Sequence, residues 1–255
     1  MDGATGAVHS RPRVLVLQPD RDCGPARIER WARAAGADLD VRLADIAGAI
    51  PETLQGYDGL MVLGGDMGDG DTEAFPWLED LRARLREARR DRIPALGICL
   101  GGQLLASALG GAVRRGAAGI ETGVVEITVT EVAAGDPLMR GLPPTFLTGA
   151  MHGDAITRLP DDAVLLAAGA RYPHQAFRSG STWGVQFHPE IGLEEYANWR
   201  DAVSATMPDF LPEFDGTVAE FARLQDEVGP ACERFVTNFL GVVAAPRGSR
   251  RADRE

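Results

Sequence analysis

The sequence is poor in the residues that build metal centres and disulfide frameworks, with only four histidines and three cysteines in 255 residues. Cys23, Cys99 and Cys232 are odd in number and far apart, which excludes a disulfide framework and fits a reducing cytoplasm. No His or Cys falls at metal-ligand spacing, so neither zinc nor any other cofactor is expected. Positive charge is also short: 26 Lys and Arg against 37 Asp and Glu leave a formal net charge of −11. That argues against a nucleic-acid groove, which needs a basic face. No apolar run reaches membrane length, and the first ten residues lack the charged-then-apolar pattern of a signal peptide. The expectation is a cytoplasmic protein with no nucleic-acid or membrane partner.

What remains is an ordinary globular composition, 45% hydrophobic and 25% charged, long enough to bury a full core. Residues 1–12 read as a disordered tail, 13–242 as one domain and 243–255 as a charged tail. Arg13–Gln18 is a β-branched and Leu run, the mark of a parallel strand buried on both faces. Ile28, Trp31, Ala32 and Ala35 share a helical face closed by Gly36, and Val41 and Leu43 suggest a short strand. A third strand at 59–63 ends in Gly64-Gly65, and Pro76 to Arg90 is helical, its five arginines from Arg82 to Arg90 reading as a solvated face. A strand at 93–98 and a helix at 103–109 complete a β-α-β-α series. Such alternation predicts a doubly wound, mostly parallel sheet with ligands at the strands' C-terminal ends. The second half breaks into short strands at 124–129, 163–168, 175–177 and 183–187, which read as antiparallel additions. A last helix is expected from Thr217 to Leu240, broken or bent near Gly229-Pro230.

The chain is organised around the junction of the strand at 93–98 with the helix after it. Cys99 stands at that corner, followed by Gly101-Gly102. A side chain at a sharp strand-to-helix turn is clear of both elements, and glycine lets backbone and substrate come close. The helix N-terminus behind it favours a nucleophilic thiolate. The plain alternative is a buried Cys serving as a small hydrophobe. A second stretch, Gly184 to Glu190, places His188 after an alternating strand with Glu190 two positions on. Alone, His-x-Glu reads as a surface loop. Beside a cysteine nucleophile it supplies a general base and the group that fixes its tautomer.

The Gly-rich loop from Leu63 to Asp71 allows three readings. As a phosphate cradle it lacks Lys and carries Asp66, Asp69 and Asp71. As a calcium loop its acids are wrongly spaced. As an oxyanion hole it works, with the amides of Gly65 and Leu100 aimed at one developing charge and the acids facing solvent.

Together, Gly-Ile-Cys-Leu-Gly-Gly-Gln at 97–103, Gln-Phe-His-Pro-Glu at 186–190 and Gly64-Gly65 resemble the class I (triad) glutamine amidotransferase domain, in its stand-alone form similar to the glutaminase part of GMP synthetase. The likeness runs from about Arg13 to Leu240 and includes Met151-His-Gly-Asp154 and Pro173 to Phe177. It implies a flavodoxin-like fold and release of ammonia from glutamine, with Cys99 forming a γ-glutamyl thioester, His188 moving the proton and Glu190 orienting it. It also implies an oxyanion hole at Gly65 and Leu100, and contacts from Gln103, Met151, Gly153 and Asp154 to the substrate's α-amino and carboxylate groups. Asp66 and Met151 depart from the residues common in relatives, and both line the implied pocket. With no synthetase domain in the chain, a separate synthetase subunit would take the ammonia. The alternatives are a γ-glutamyl peptidase or hydrolase with the same triad on another γ-glutamyl compound, and a non-catalytic binding relative.

Among the other residues, His152 reads as a pocket-loop orienter, His174 as bordering the sheet, and His9 as part of the tail. Cys23 lacks a base, Cys232 reads as packing, and the four tryptophans as core or edge aromatics.

Overall fold

A computed structural model describes residues 11–246; 1–10 and 247–255, which hold His9 and most of the two expected tails, lie outside the described residues, while Val243 and Ala244 belong to the last helix and not to a tail. In chain order the elements are β1 Arg13–Gln18, α1 Arg27–Ala34, β2 Asp38–Leu43, β3 Gly59–Val62, α2 Trp77–Asp91, β4 Ala95–Ile98 and α3 Leu100–Ala108. There follow β5 Ala112–Arg115, β6 Glu121–Val129, β7 Thr145–His152, β8 Asp154–Arg158, β9 Val164–Gly169, β10 Ala176–Ser179 and β11 Thr182–Val185. The helices α4 Leu193–Asn198, α5 Arg200–Thr206 and α6 Leu211–Ala244 close the chain.

One nine-stranded sheet runs β2-β1-β3-β4-β11-β10-β9-β6-β7, and β5 pairs with β8 apart from it. The joins from β2 to β11 are parallel and the rest antiparallel, so the added half is as wide as the parallel one. Side chains of β1 alternate between two cores, as a pleated strand requires. Val14 and Val16 face α1 and the long α6, with Trp31, Phe235 and Phe239. Leu15 and Leu17 face α2 and α3, with Leu81, Leu85 and Leu104. No described helix is long and apolar enough to cross a membrane.

Three local expectations need correction. α3 starts at Leu100, not 103, with both glycines inside its first turn. A side chain on Gly101 would collide with the Val62 carbonyl oxygen, and one on Gly102 would press on the Val185 backbone. Each glycine costs the helix about 1 kcal/mol, and the cost is offset because the first turn sits directly on β3 and β11. The last helix also differs: α6 runs 34 residues without a break, through Pro230. An interior proline costs about 3 kcal/mol. The helix buries Phe214, Phe221, Phe235, Val236, Phe239 and Leu240, each worth about 1.5–3 kcal/mol, so burial wins.

The arginines of α2 are not all solvated. Arg82 is 7% exposed. It donates to the Asp69 carbonyl and to Ser107 Oγ, and it pairs with the Asp69 carboxylate at 3.1 Å. Ser107 Oγ donates to that carboxylate at 2.6 Å. Asp69 therefore faces inward and anchors the Gly-rich loop to α2 and α3. Asp71 accepts from the Gly68 amide at 2.7 Å.

Candidate active site

Cys99 ends β4 and caps α3 with φ 50° and ψ −108°. That is left-handed backbone that an L-residue adopts at a cost of about 1–3 kcal/mol. The turn is held closed: the Cys99 amide donates to Val185 O at 2.8 Å, and the Gln103 amide to Cys99 O at 2.9 Å. The thiol is 6% exposed and points toward the Met151 carbonyl, 3.8 Å away.

His188 reaches this thiol because β4 and β11 are neighbours, with Ile98 opposite Val185. Three residues after β11, the His188 amide donates to Gly149 O on β7 at 2.8 Å. Its Nδ1 lies 2.7 Å from Glu190 Oε1. Burial works against a charged ring, but the Glu190 carboxylate and the hydrogen-bonded Cys99 sulfur outweigh it and push His188 up to about 10. The ring therefore holds its proton at neutral pH. Glu190 is 1% exposed, and its Oε2 has no hydrogen-bond partner among the described residues. Among the described residues His188 is the hydrogen-bond partner of that carboxylate, and its charge acts most directly on the imidazole.

The backbone groups expected to form an oxyanion hole are adjacent. A side chain on Gly64 would collide with the His188 ring and touch Cys99 Cβ; one on Gly65 would press on Leu100 Cδ2. Neither the Gly65 nor the Leu100 amide donates to a protein acceptor among the described residues. Gln103, Met151, Gly153 and Asp154 line one cavity with Cys99, about 440 Å³ in volume. Gln103 Nε2 donates to the Asp154 carbonyl at 3.0 Å, so its side chain shapes the wall.

His152 is braced beneath that cavity. Its Nδ1 meets the Asp154 carbonyl at 2.8 Å and its Nε2 meets Glu121 Oε2 at 2.9 Å. Gln175 Nε2 donates to the same carboxylate oxygen at 2.6 Å. Glu121 and Gln175 are buried, and sequence reasoning missed both. Removing the Glu121 carboxylate strands two buried donors, each costing about 1–3 kcal/mol. Glu121→Ala is expected to lower unfolding free energy by about 2–4 kcal/mol in urea titration, whereas Glu121→Gln retains part of the loss through its amide oxygen.

Two more contributors carried no sequence signal. Arg27 on α1 donates through its guanidinium to the carbonyls of Pro189, Glu190 and Ile191, and so clamps the turn that bears Glu190. Trp199 packs edge-on against His188, ring centroids 5.0 Å apart, so it is part of the site wall and not only a core aromatic. His174 has its Nδ1 on Ile156 O of β8, in the two-stranded pair, and Cys232 is fully buried packing. Burial and Asp20 hold the Cys23 thiol far above its usual range, so it stays protonated.

Residues 22–199 match the family model described as glutamine amidotransferase class-I. The chain belongs to the class I glutamine amidotransferases. Membership of the class I glutamine amidotransferases, which are cysteine hydrolases, makes the protein an enzyme. The glutamine-hydrolyzing GMP synthase subunit from Methanoculleus marisnigri is 35% identical over 159 residues, 60% of this chain and 78% of that protein. GMP synthase (glutamine-hydrolyzing) from Porphyromonas gingivalis is 37% identical over 188 residues, 70% of this chain but 35% of that enzyme. The chain thus spans about a third of that relative. A glutamine amidotransferase crystal structure from Thermotoga maritima superposes with TM-score 0.81 at 25% identity, covering 91% of this chain and 99% of the other. The α/β fold with parallel core and antiparallel strands is that of this family.

Proposed function

We propose that the protein hydrolyses the side-chain amide of glutamine to glutamate and ammonia through a Cys99 γ-glutamyl thioester. The observation that carries this reading is the buried contact of Cys99 with a His188 that Glu190 keeps protonated. The Cys99 sulfur adds to the amide carbon, and the amides of Gly65 and Leu100 take the developing oxyanion. His188 passes its Nε2 proton to the leaving nitrogen, the C–N bond breaks, and ammonia departs. Neutral His188 then takes a proton from water, whose hydroxide opens the thioester; the thiolate and the protonated ring are restored. Glu190 holds the ring throughout. Gln103, Met151, Gly153 and Asp154 seat the α-amino and carboxylate groups. Relatives named as glutamine-hydrolyzing GMP synthase subunits support a separate synthetase subunit that takes up the ammonia.

The test is release of ammonia and glutamate from glutamine, in step and in equal amounts, with covalent labelling of Cys99 by a glutamine-like electrophile. Absence of both turnover and labelling would sink the reading.

A further inference from the structure

Two cavities meet at Cys99 and share Gly65, Asp66, Met151 and Met207. The larger holds Gln103, Gly153 and Asp154, the residues that seat the substrate's α-groups. The smaller, about 60 Å³, differs in being lined by His188, Trp199 and Val203. His188 delivers a proton to the leaving nitrogen, so the leaving group emerges into this second space. A single water needs roughly 10–15 Å³ on this measure. Ammonia is no larger than water, so glutamine leaves most of the space unfilled.

The walls have a definite chemistry. Met151, Trp199, Val203 and Met207 form an apolar side. Asp20, Asp22 and Asp66 line the same space, and no Arg or Lys does. The Asp20 carboxylate is held by the amides of Asp22 and Asp66, at 3.0 and 3.2 Å. The carboxylates of Asp22 and Asp66 have no hydrogen-bond or ion-pair partner among the described residues. Partial burial, then Asp20 and Asp22, raise the Asp66 carboxyl, as expected for like charges with no counter-cation. Val203 and Met207 lie beyond the stretch matching the family model, which ends at 199.

We propose that this second cavity is a leaving-group subsite selecting γ-glutamyl amides whose amine is an alkyl chain ending in a cationic nitrogen. The proposal rests on the thioester chemistry of the proposed function. The alkyl stem lies against Trp199, Val203 and Met207, and the ammonium meets Asp22 and Asp66, with the Trp199 face as a further attraction. The chemistry is unchanged: the S–C bond forms, the C–N bond breaks, and the amine departs with the proton from His188. Water then releases glutamate.

Three amides with one γ-glutamyl part test it: the N-(4-aminobutyl), N-pentyl and N-(4-carboxybutyl) amides, beside glutamine. The expected order of kcat/KM is cationic, neutral, anionic, with cationic over neutral by about tenfold, a single charge contact near a protein surface. The gap narrows as salt rises from low ionic strength. In the Asp22→Asn, Asp66→Asn double variant the cationic preference falls to about threefold or less, and Asp66→Glu restores part of it. Equal rates for the cationic and neutral amides, or a preference untouched by the double variant, would overturn the subsite. Turnover of glutamine with none of the three amides hydrolysed would also overturn it and leave the glutaminase reading standing. Failure of every compound, glutamine included, to acylate Cys99 would remove both.

Discussion

Replacing Cys99 with glycine is expected to abolish turnover while making the folded protein more stable. Loss of the proposed nucleophile removes the proposed thioester route, and by comparison with other covalent hydrolases the drop in kcat is at least about 10⁴-fold. Stability moves the other way because the residue sits at φ 50° and ψ −108°, backbone that glycine adopts without steric penalty. Relief of about 1–3 kcal/mol of strain is set against glycine's greater loss of chain entropy, about 0.5–1 kcal/mol, and the loss of a small buried side chain. The net gain expected in chemical denaturation is about 1 kcal/mol. Cys99→Ala, which keeps the strained backbone and loses the sulfur, is the control: equally inactive, without that gain. If Cys99→Gly proves less stable than Cys99→Ala, the turn is not strained and the elbow is merely a packed corner. The physical point is that the same conformation that costs stability lifts the sulfur clear of β4 and α3 and toward His188.

The second large effect is at Glu190. Its carboxylate is the largest cause raising His188, against the opposing pull of burial. In the wild type, the rate of Cys99 acylation needs a protonated His188, so it holds through neutral pH and falls as pH passes about 10. Glu190→Gln is expected to move this alkaline limb down toward the ordinary histidine value of about 6.5 and to cut kcat/KM near pH 8 by roughly 10²–10⁴-fold, the range spanned by loss of proton transfer and of its orienting group. Stability follows the same linkage. A group whose folded pKa is raised contributes stability fully present below its unfolded value, near 6.5, and lost as pH rises through the folded one, near 10. The wild type should therefore lose unfolding free energy between these limits, and Glu190→Gln should lose less of it. Single-turnover acylation profiles and urea titrations across pH 6–11 read both effects. An alkaline limb that stays in place in Glu190→Gln would show that His188 does not owe its proton to Glu190.

Much of this protein was determined by local sequence. The apolar runs within 13–18 and 59–62 specify strands buried on both faces, because such stretches have no polar side to show to water. Gly101-Gly102 marks where backbone must pass close to backbone, and Gly64-Gly65 where the His188 ring and the Leu100 side chain come against it, so the elbow and the loop facing it were legible. His188 and Glu190 are two residues apart, so their pairing needs only a local turn. The joining of Cys99 to His188, 89 residues later in the chain, was decided by β11 inserting beside β4, a long-range pairing that no local periodicity encodes.

Other features were likewise left to the tertiary structure. Arg82 and Arg27 look like solvent charges in any sequence window; only the placement of Asp69 and of the 189–191 carbonyls turns them into anchors of the Gly-rich loop and of the turn that bears Glu190. The continuity of α6 through Pro230 was decided by the apolar face it covers, which outweighs a purely local penalty. The second cavity exists because α5 and Trp199 fold back over the His188 side of Cys99. Local patterns determine which residues carry chemistry, since geometry at a turn is a short-range property. What that chemistry meets is set by surfaces that only packing brings together.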